Sequence, residues 1–191
     1  GGNEREAPVY PFGKGGGGGP WPEAPRVAEA IGKFRTGGGT GTVNLNTNAS
    51  KPEGIEAIAK SGLTSMRVSI NSLRPEPYNR YYRPVSYCFD HVLQSIHAAK
   101  DLGVYCSLNL LFFPGFTDTE KELEAILDIV RREEIDCIQL RNLNIDPDMY
   151  LKLMEGVETG PHIGFGNFRK RLKKEFPKLH LGYFNPPVSV G

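Results

Sequence analysis

The stretch Val43-Asn44-Leu45-Asn46-Thr47-Asn48 alternates apolar and polar residues without a break. A period of two is the signature of a strand whose side chains point alternately to opposite faces. A parallel strand covered on both faces should instead read as a nearly continuous apolar run. Here one side carries only asparagine amides, at Asn44, Asn46 and Asn48, while Val43 and Leu45 stand on the other.

Three later segments repeat the pattern. Their polar sides hold Arg67, Ser69 and Asn71, then Ser107 and Asn109, then Gln139 and Arg141. Their apolar sides hold Met66, Val68 and Ile70, then Cys106, Leu108 and Leu110, then Ile138 and Leu140. Helices that cover one face only, as they do around a barrel, account for both sets. The expected fold is therefore α/β: a partial, incomplete β/α TIM-like barrel with parallel strands, helices on the outer face and a polar lumen. An open sheet with one solvated face would place Lys and Glu among the polar positions, and none stands there.

The intervening segments read as helices. Val27, Ala28, Ile31 and Phe34 recur at helical spacing after Pro25, and Gly37-Gly38-Gly39 stops them. Ser50 with Glu53 has the form of a capping box that opens a helix to Ser61, ended by Gly62. Further helices are expected from about Asp90 to Leu102 and from about Asp118 to Arg132, with strands at Met66 to Ile70, Tyr105 to Phe113 and Cys137 to Leu143. A tail helix has Phe165, Phe168, Leu172 and Phe176 on one face, before a strand at Leu179 to Phe184. Alternating strands and helices imply parallel pairing.

Residues 1–24 are rich in glycine and proline and offer little to bury, so they are expected to be mobile. Residues 25–187 form the barrel portion and 188–191 a tail. The chain's 191 residues fall short of the roughly 250 of a closed eight-unit barrel. With 23 basic against 22 acidic residues, net charge gives no reason to expect nucleic acid or an anionic membrane as partner. Three widely spaced cysteines, Cys88, Cys106 and Cys137, fit a reduced, cytoplasmic setting. No apolar run reaches the ~18 residues of a membrane span, and no leader is expected.

Leaving so many lumen groups unpaired would cost about 1–3 kcal/mol each, so they either bond one another and water or receive a polar ligand. Barrel folds gather their working residues where strands end. Those ends read Thr47-Asn48-Ala49-Ser50, Ser69-Ile70-Asn71-Ser72, Phe113-Pro114-Gly115-Phe116-Thr117-Asp118 and Arg141-Asn142-Leu143-Asn144-Ile145-Asp146.

In this order the four ends resemble the third to sixth strands of radical S-adenosylmethionine (SAM) enzymes, whose similar segments read Asn-Thr-Asn, Ser-x-Asn-Ser and Pro-Gly-x-Thr-Asp-x-Glu. The resemblance covers roughly Pro25 to Asn185. It implies S-adenosylmethionine as cofactor, with Ser69 and Asn71 at its ribose and methionine portions, Arg67 and Asn48 alongside, and Leu110 to Gly115 flanking the adenine. Asn109 belongs to the same cofactor-facing set, and Arg141 and Asn142 complete the pocket. Arg141 is also suited to gripping the cofactor's carboxylate through a bidentate fork. For each of these residues a lumen hydrogen bond made without any ligand is the competing role.

In that family a [4Fe-4S] cluster reduces the bound sulfonium and releases a 5′-deoxyadenosyl radical. Its cluster ligands follow Cys-x₃-Cys-x₂-Cys after the first strand, a spacing that Cys88, Cys106 and Cys137 do not have. Phe12 to Pro20 stands where the family places a Gly-Gly-Glu-like turn after its second strand. Glycines occupy that turn here, and Glu23 is the nearest acid downstream. The first β/α unit is accordingly expected to be missing and the chain alone to be inactive. Two other roles compete: a non-catalytic module for a nucleoside-like ligand, and a fragment whose open sheet edge pairs with another chain.

Other signals have plainer explanations. Gly37 to Thr42 follows a helix and opens a strand, the reverse of a phosphate cradle. His91, His97, His162 and His180 lack ligand spacing; Asp136, Asp146 and Asp148 suit caps and turns. Tyr78, Tyr81, Tyr82 and Tyr87 beside Arg74, Arg80 and Arg83 suit a loop on the barrel rim, and the basic run Arg169 to Lys174 a solvated helix face.

Overall fold

A computed structural model describes residues 9–12, 24–142 and 145–182. The described elements, in chain order, are β1 (Val9–Phe12), α1 (Ala24–Thr36), β2 (Thr42–Thr47), α2 (Pro52–Lys60), β3 (Ser65–Ile70), α3 (Pro75–Tyr82), α4 (Phe89–Asp101), β4 (Tyr105–Phe112), α5 (Glu120–Arg132), β5 (Cys137–Asn142), α6 (Pro147–Leu153), α7 (Gly164–Glu175) and β6 (His180–Leu181).

The strands join in one sheet in the order β1-β2-β3-β4-β5-β6, with every neighbouring pair parallel. Strand order that follows chain order, with right-handed crossovers, puts the connecting helices on one side. This is the arc of a β/α barrel, as the alternation predicts.

The apolar side of each strand is the core. Val43, Leu45, Met66, Val68, Ile70, Cys106, Leu108, Leu110 and Ile138 are each 0% exposed. They pack against Ile31 of α1, Ile55 and Ile58 of α2, Val92 and Ile96 of α4, Leu123 and Ile126 of α5, and Phe168 and Leu172 of α7. Each such side chain contributes about 1.5–3 kcal/mol by leaving water. Two glycines let the outer layer close. A Cβ on Gly39 would lie 2.5 Å from the Phe34 carbonyl oxygen, and Gly62 takes φ +109 beneath the Arg35 side chain.

Several expectations change. Val9–Phe12 form a strand inside the stretch expected to be mobile, with Tyr10 in register with Val43. That strand ends at Phe12, where the resemblance places the turn after a second strand. Residues 1–8, 13–23 and the 188–191 tail lie outside the described residues. Ser50 makes no capping box: Pro52 starts α2, so Lys51 is the N-cap and caps with no side-chain bond. Helices α3 and α6 were not expected, and the last strand is described only at His180–Leu181. Among the described residues no helix is long and apolar enough to cross a membrane.

Candidate functional site

In a parallel sheet, residues in register share a face, so the pairing sorts the polar side chains into rows across the inner surface. The lowest holds Asn44, Ser65 and Tyr105. Above it lie Asn46, Arg67, Ser107 and Cys137, and above these Ser69, Asn109 and Gln139. Arg141 follows, level with Leu111 at the carboxyl end of the sheet. Successive rows are about 7 Å apart, two strand residues.

The lower rows bond among themselves. Ser65 Oγ donates to Asn44 Oδ1 at 2.9 Å, Asn44 Nδ2 to Asn46 Oδ1 at 3.2 Å, and Ser107 Oγ to the Met66 carbonyl at 3.3 Å. The Tyr105 hydroxyl lies against the Cys137 thiol, whose pKa burial raises. For Asn44, Asn46, Ser65 and Ser107 the competing role, a lumen bond without ligand, is the one the structure shows.

The upper rows differ. Asn109 is 8% exposed, yet its Oδ1 is buried and has no hydrogen-bond partner. The Nε of half-buried Arg67 is in the same condition. Burial and the nearby Arg141 and its charge disfavour protonation of Arg67, although guanidinium remains charged at any ordinary pH. Ser69, level with Asn109, is half-buried. Buried polar atoms without partners are costly, and these two lie one row apart on the inner face.

The remaining site candidates divide. Asn48 is half-buried and closes a local turn, its Oδ1 accepting from the Ser50 N–H at 3.2 Å. Asn71 is 0% exposed; its Nδ2 donates to the Pro77 carbonyl at 3.1 Å, and the Tyr150 hydroxyl lies against it. It ties α3 to the strand end rather than presenting its amide to the lumen. Asn142 departs from the lumen set altogether. It pairs with Phe112, one residue out of phase with Gln139 and Arg141, and lines an outer groove of about 380 Å³ with Leu140, Phe165 and Arg169. Leu110 and Phe112 of the predicted adenine-flanking segment are likewise buried in the outer core.

A residue not anticipated from sequence braces the rim. Glu122 of α5 is 0% exposed; it accepts from Ser72 Oγ at 2.7 Å and from the Leu73 N–H at 2.8 Å, with Arg74 Nε at 3.3 Å. The signal was present: Glu122 is in helical phase with Ile126 and Ile129, an acid on a buried stripe. Above it, Tyr150, Phe116, Met154 and Val157 form a second apolar cluster joined by Tyr81 and Phe113. Of the tyrosines expected to pack at the rim, Tyr81 of α3 joins this cluster, while Tyr78, Tyr82 and Tyr87 pack with the main core. His162 and Asp118, 3.1 Å apart, tie the following segment to the start of α5.

The three cysteines do not suit an iron-sulfur cluster. Cys88 is exposed before α4, Cys106 is buried on the outer face of β4, and Cys137 faces the lumen low on β5. Among the described residues no group of His, Cys, Asp or Glu is placed to hold a metal ion. Asn109 Oδ1 and Arg67 Nε, by contrast, fit a polar ligand with hydrogen-bonding edges.

The Radical SAM superfamily family model matches residues 15–130. The chain belongs to the radical SAM superfamily. Solved structures agree on the fold. A domain of pyruvate-formate lyase-activating enzyme from Bacteroides vulgatus shares 8% identity over 94% of this chain and 100% of that one, with a TM-score of 0.60. The FeFe-hydrogenase maturase HydG from Carboxydothermus hydrogenoformans shares 15% over 85% of this chain and 39% of its own, TM-score 0.56. Streptococcus suis SuiB bound to S-adenosylmethionine shares 13% over 75% and 33%, TM-score 0.50. This radical SAM chain thus spans about a third of the length of SuiB and of HydG. No curated protein matches it in sequence.

Proposed function

We propose that this radical SAM domain binds S-adenosylmethionine on the upper rows of its inner face and that, as this chain alone, it does not cleave it. The observation that carries the reading is Asn109 Oδ1, buried on the inner face without a partner, whereas Asn44, Asn46 and Ser65 below it bond one another. Ser69 and Asn109 would hold the ligand, with Asn48 at its edge and Arg67 one row below, and the aromatic cap over Tyr150 would exclude water. Asn71 acts one step back, fixing the β3 end against Pro77.

Within the family, bound S-adenosylmethionine supplies a carbon–sulfur bond that yields to one-electron reduction. The residues of this chain bind and orient it. The separation of Cys88, Cys106 and Cys137 supports binding without cleavage.

Calorimetry of the iron-free chain against S-adenosylmethionine and S-adenosylhomocysteine tests the reading. Saturable heat with both is expected, and its absence with both would remove it. Reconstitution with iron and sulfide followed by dithionite should yield no 5′-deoxyadenosine; its formation would overturn the non-catalytic half.

A further inference from the structure

Strands β2, β3, β4 and β5 contain no Asp or Glu, yet their inner face carries two guanidinium groups, on Arg67 and Arg141. No ion pair among the described residues joins either one. Arg67 is half-buried and Arg141 is exposed at the carboxyl end of the sheet, whereas Arg74 meets Glu122 and Arg35 donates to the Gly62 carbonyl at 3.0 Å. Arg67 stands two rows below Arg141 in register, and Arg141's charge reaches it. The row between them holds Ser69 and Asn109.

This charge does not match the proposed cofactor. S-adenosylmethionine carries a sulfonium and an ammonium against one carboxylate, so it enters with an excess of positive charge. Placing it beside these two guanidiniums, the Arg67 one half-buried, is unfavourable unless an anion accompanies it. We infer that Arg67 and Arg141 form an oxyanion subsite and that the second ligand of this lumen, the substrate, is a carboxylate or phosphate compound bound together with the cofactor. The planar forks of arginine suit such groups. This inference rests on the cofactor reading above, and the same oxyanion chemistry has one other source, the cofactor's own carboxylate. The two sources predict opposite effects of neutralising the arginines.

Calorimetry on the full chain at low salt separates them. S-adenosylmethionine is titrated with and without saturating inorganic phosphate, into the wild type, the R67Q/R141Q variant and the charge-preserving R67K/R141K variant. Circular dichroism and thermal melting verify that each is folded. Phosphate should tighten cofactor binding to wild type by about fivefold or more, the usual range of coupling between sites. R67Q/R141Q should lose that effect and bind S-adenosylmethionine alone at least as tightly as wild type, while R67K/R141K keeps part of the effect.

If R67Q/R141Q binds the cofactor more weakly and phosphate leaves wild type unchanged, the arginines grip the cofactor's carboxylate and the substrate subsite is refuted. Decarboxylated S-adenosylmethionine checks this arm, because under the inference phosphate still promotes its binding. Should wild type bind no S-adenosylmethionine, the cofactor reading fails by itself. Phosphate titrated alone then decides the subsite: heat lost in R67Q/R141Q upholds it, and no heat in wild type overturns it.

Discussion

Glu122 Oε2 accepts a hydrogen bond from Ser72 Oγ at 2.7 Å across 50 residues of chain, entirely out of contact with solvent. Its other oxygen takes the Leu73 N–H, so a single carboxylate on α5 fixes the loop that leaves β3. Glu122→Ala leaves two buried donors without an acceptor and Arg74 without its carboxylate partner. It should destabilise the chain by about 3–5 kcal/mol in urea unfolding, the usual cost of breaking a buried pair. A loss below 1 kcal/mol would show the brace to be dispensable.

The same residue sets a pH dependence. Burial raises the Glu122 pKa above its ordinary 4.5, against the lowering influence of Ser72, Leu73 and Arg74. A carboxyl whose folded pKa lies above its unfolded one favours folding most at pH below the unfolded value. That contribution is lost as pH rises from about 4.5 through the raised pKa. Glu122→Gln has no such titration. The stability difference between wild type and Glu122→Gln should therefore shift against wild type as pH rises through this window, measured as urea midpoints at a series of pH values. A constant difference would contradict the assignment.

The cysteines give a direct test of placement. Cys88 is exposed, whereas Cys106 and Cys137 are buried and desolvation holds both thiols protonated, Cys106 pushed up to about 12. With a disulfide reagent at pH 8, one thiol should react at once in the native chain and all three in urea. Rapid native reaction at three sites would mean that the sheet does not cover them.

Glu134 is exposed, follows the α5 C-cap, and takes φ +49, a left-handed conformation in which a side chain is strained. Glu134→Gly should stabilise by about 0.5–1 kcal/mol and raise the melting temperature by several degrees. An unchanged or lowered melting temperature would argue against that backbone conformation.

At the centre of the sheet, Leu108 is fully buried. Leu108→Ala should cost about 2–5 kcal/mol through lost burial and the cavity left behind. A surface-like loss under 1 kcal/mol would place β4 elsewhere.

Much of this was legible in the residues. The two-residue alternation around Asn44 and Leu45 identified the sheet, its one-sided cover and the inner polar face, because burial on one side imposes that period over several strands. The starts of α3 and α6 were not legible. Both open on proline and carry charged or aromatic side chains whose partners, such as Tyr78 against Phe89 and Tyr150 against Phe113, are distant in sequence. Ser50 and Glu53 matched a capping box, but Pro52 at the first helical position moved the start past it. Within the site, Arg67, Ser69 and Asn109 were correctly placed on one face by alternation. Asn142 was not, because the strand continues through it and parity turns its side chain outward. Glu122 escaped notice because an acid in an otherwise soluble-looking helix start resembles dipole compensation.

Across the rim, the arginines of the β3–α3 region reach the Leu153 to Glu158 segment through its main chain. Arg74 Nη1 donates to the Glu158 carbonyl, and Arg80 Nη1 to those of Glu155, at 2.6 Å, and Leu153, at 3.4 Å. A clasp that reads only backbone oxygens is indifferent to which amino acids it holds. Glu155, held through its carbonyl, is thus free to change its side chain over evolutionary time while Met154 and Val157 keep the wall's apolar packing.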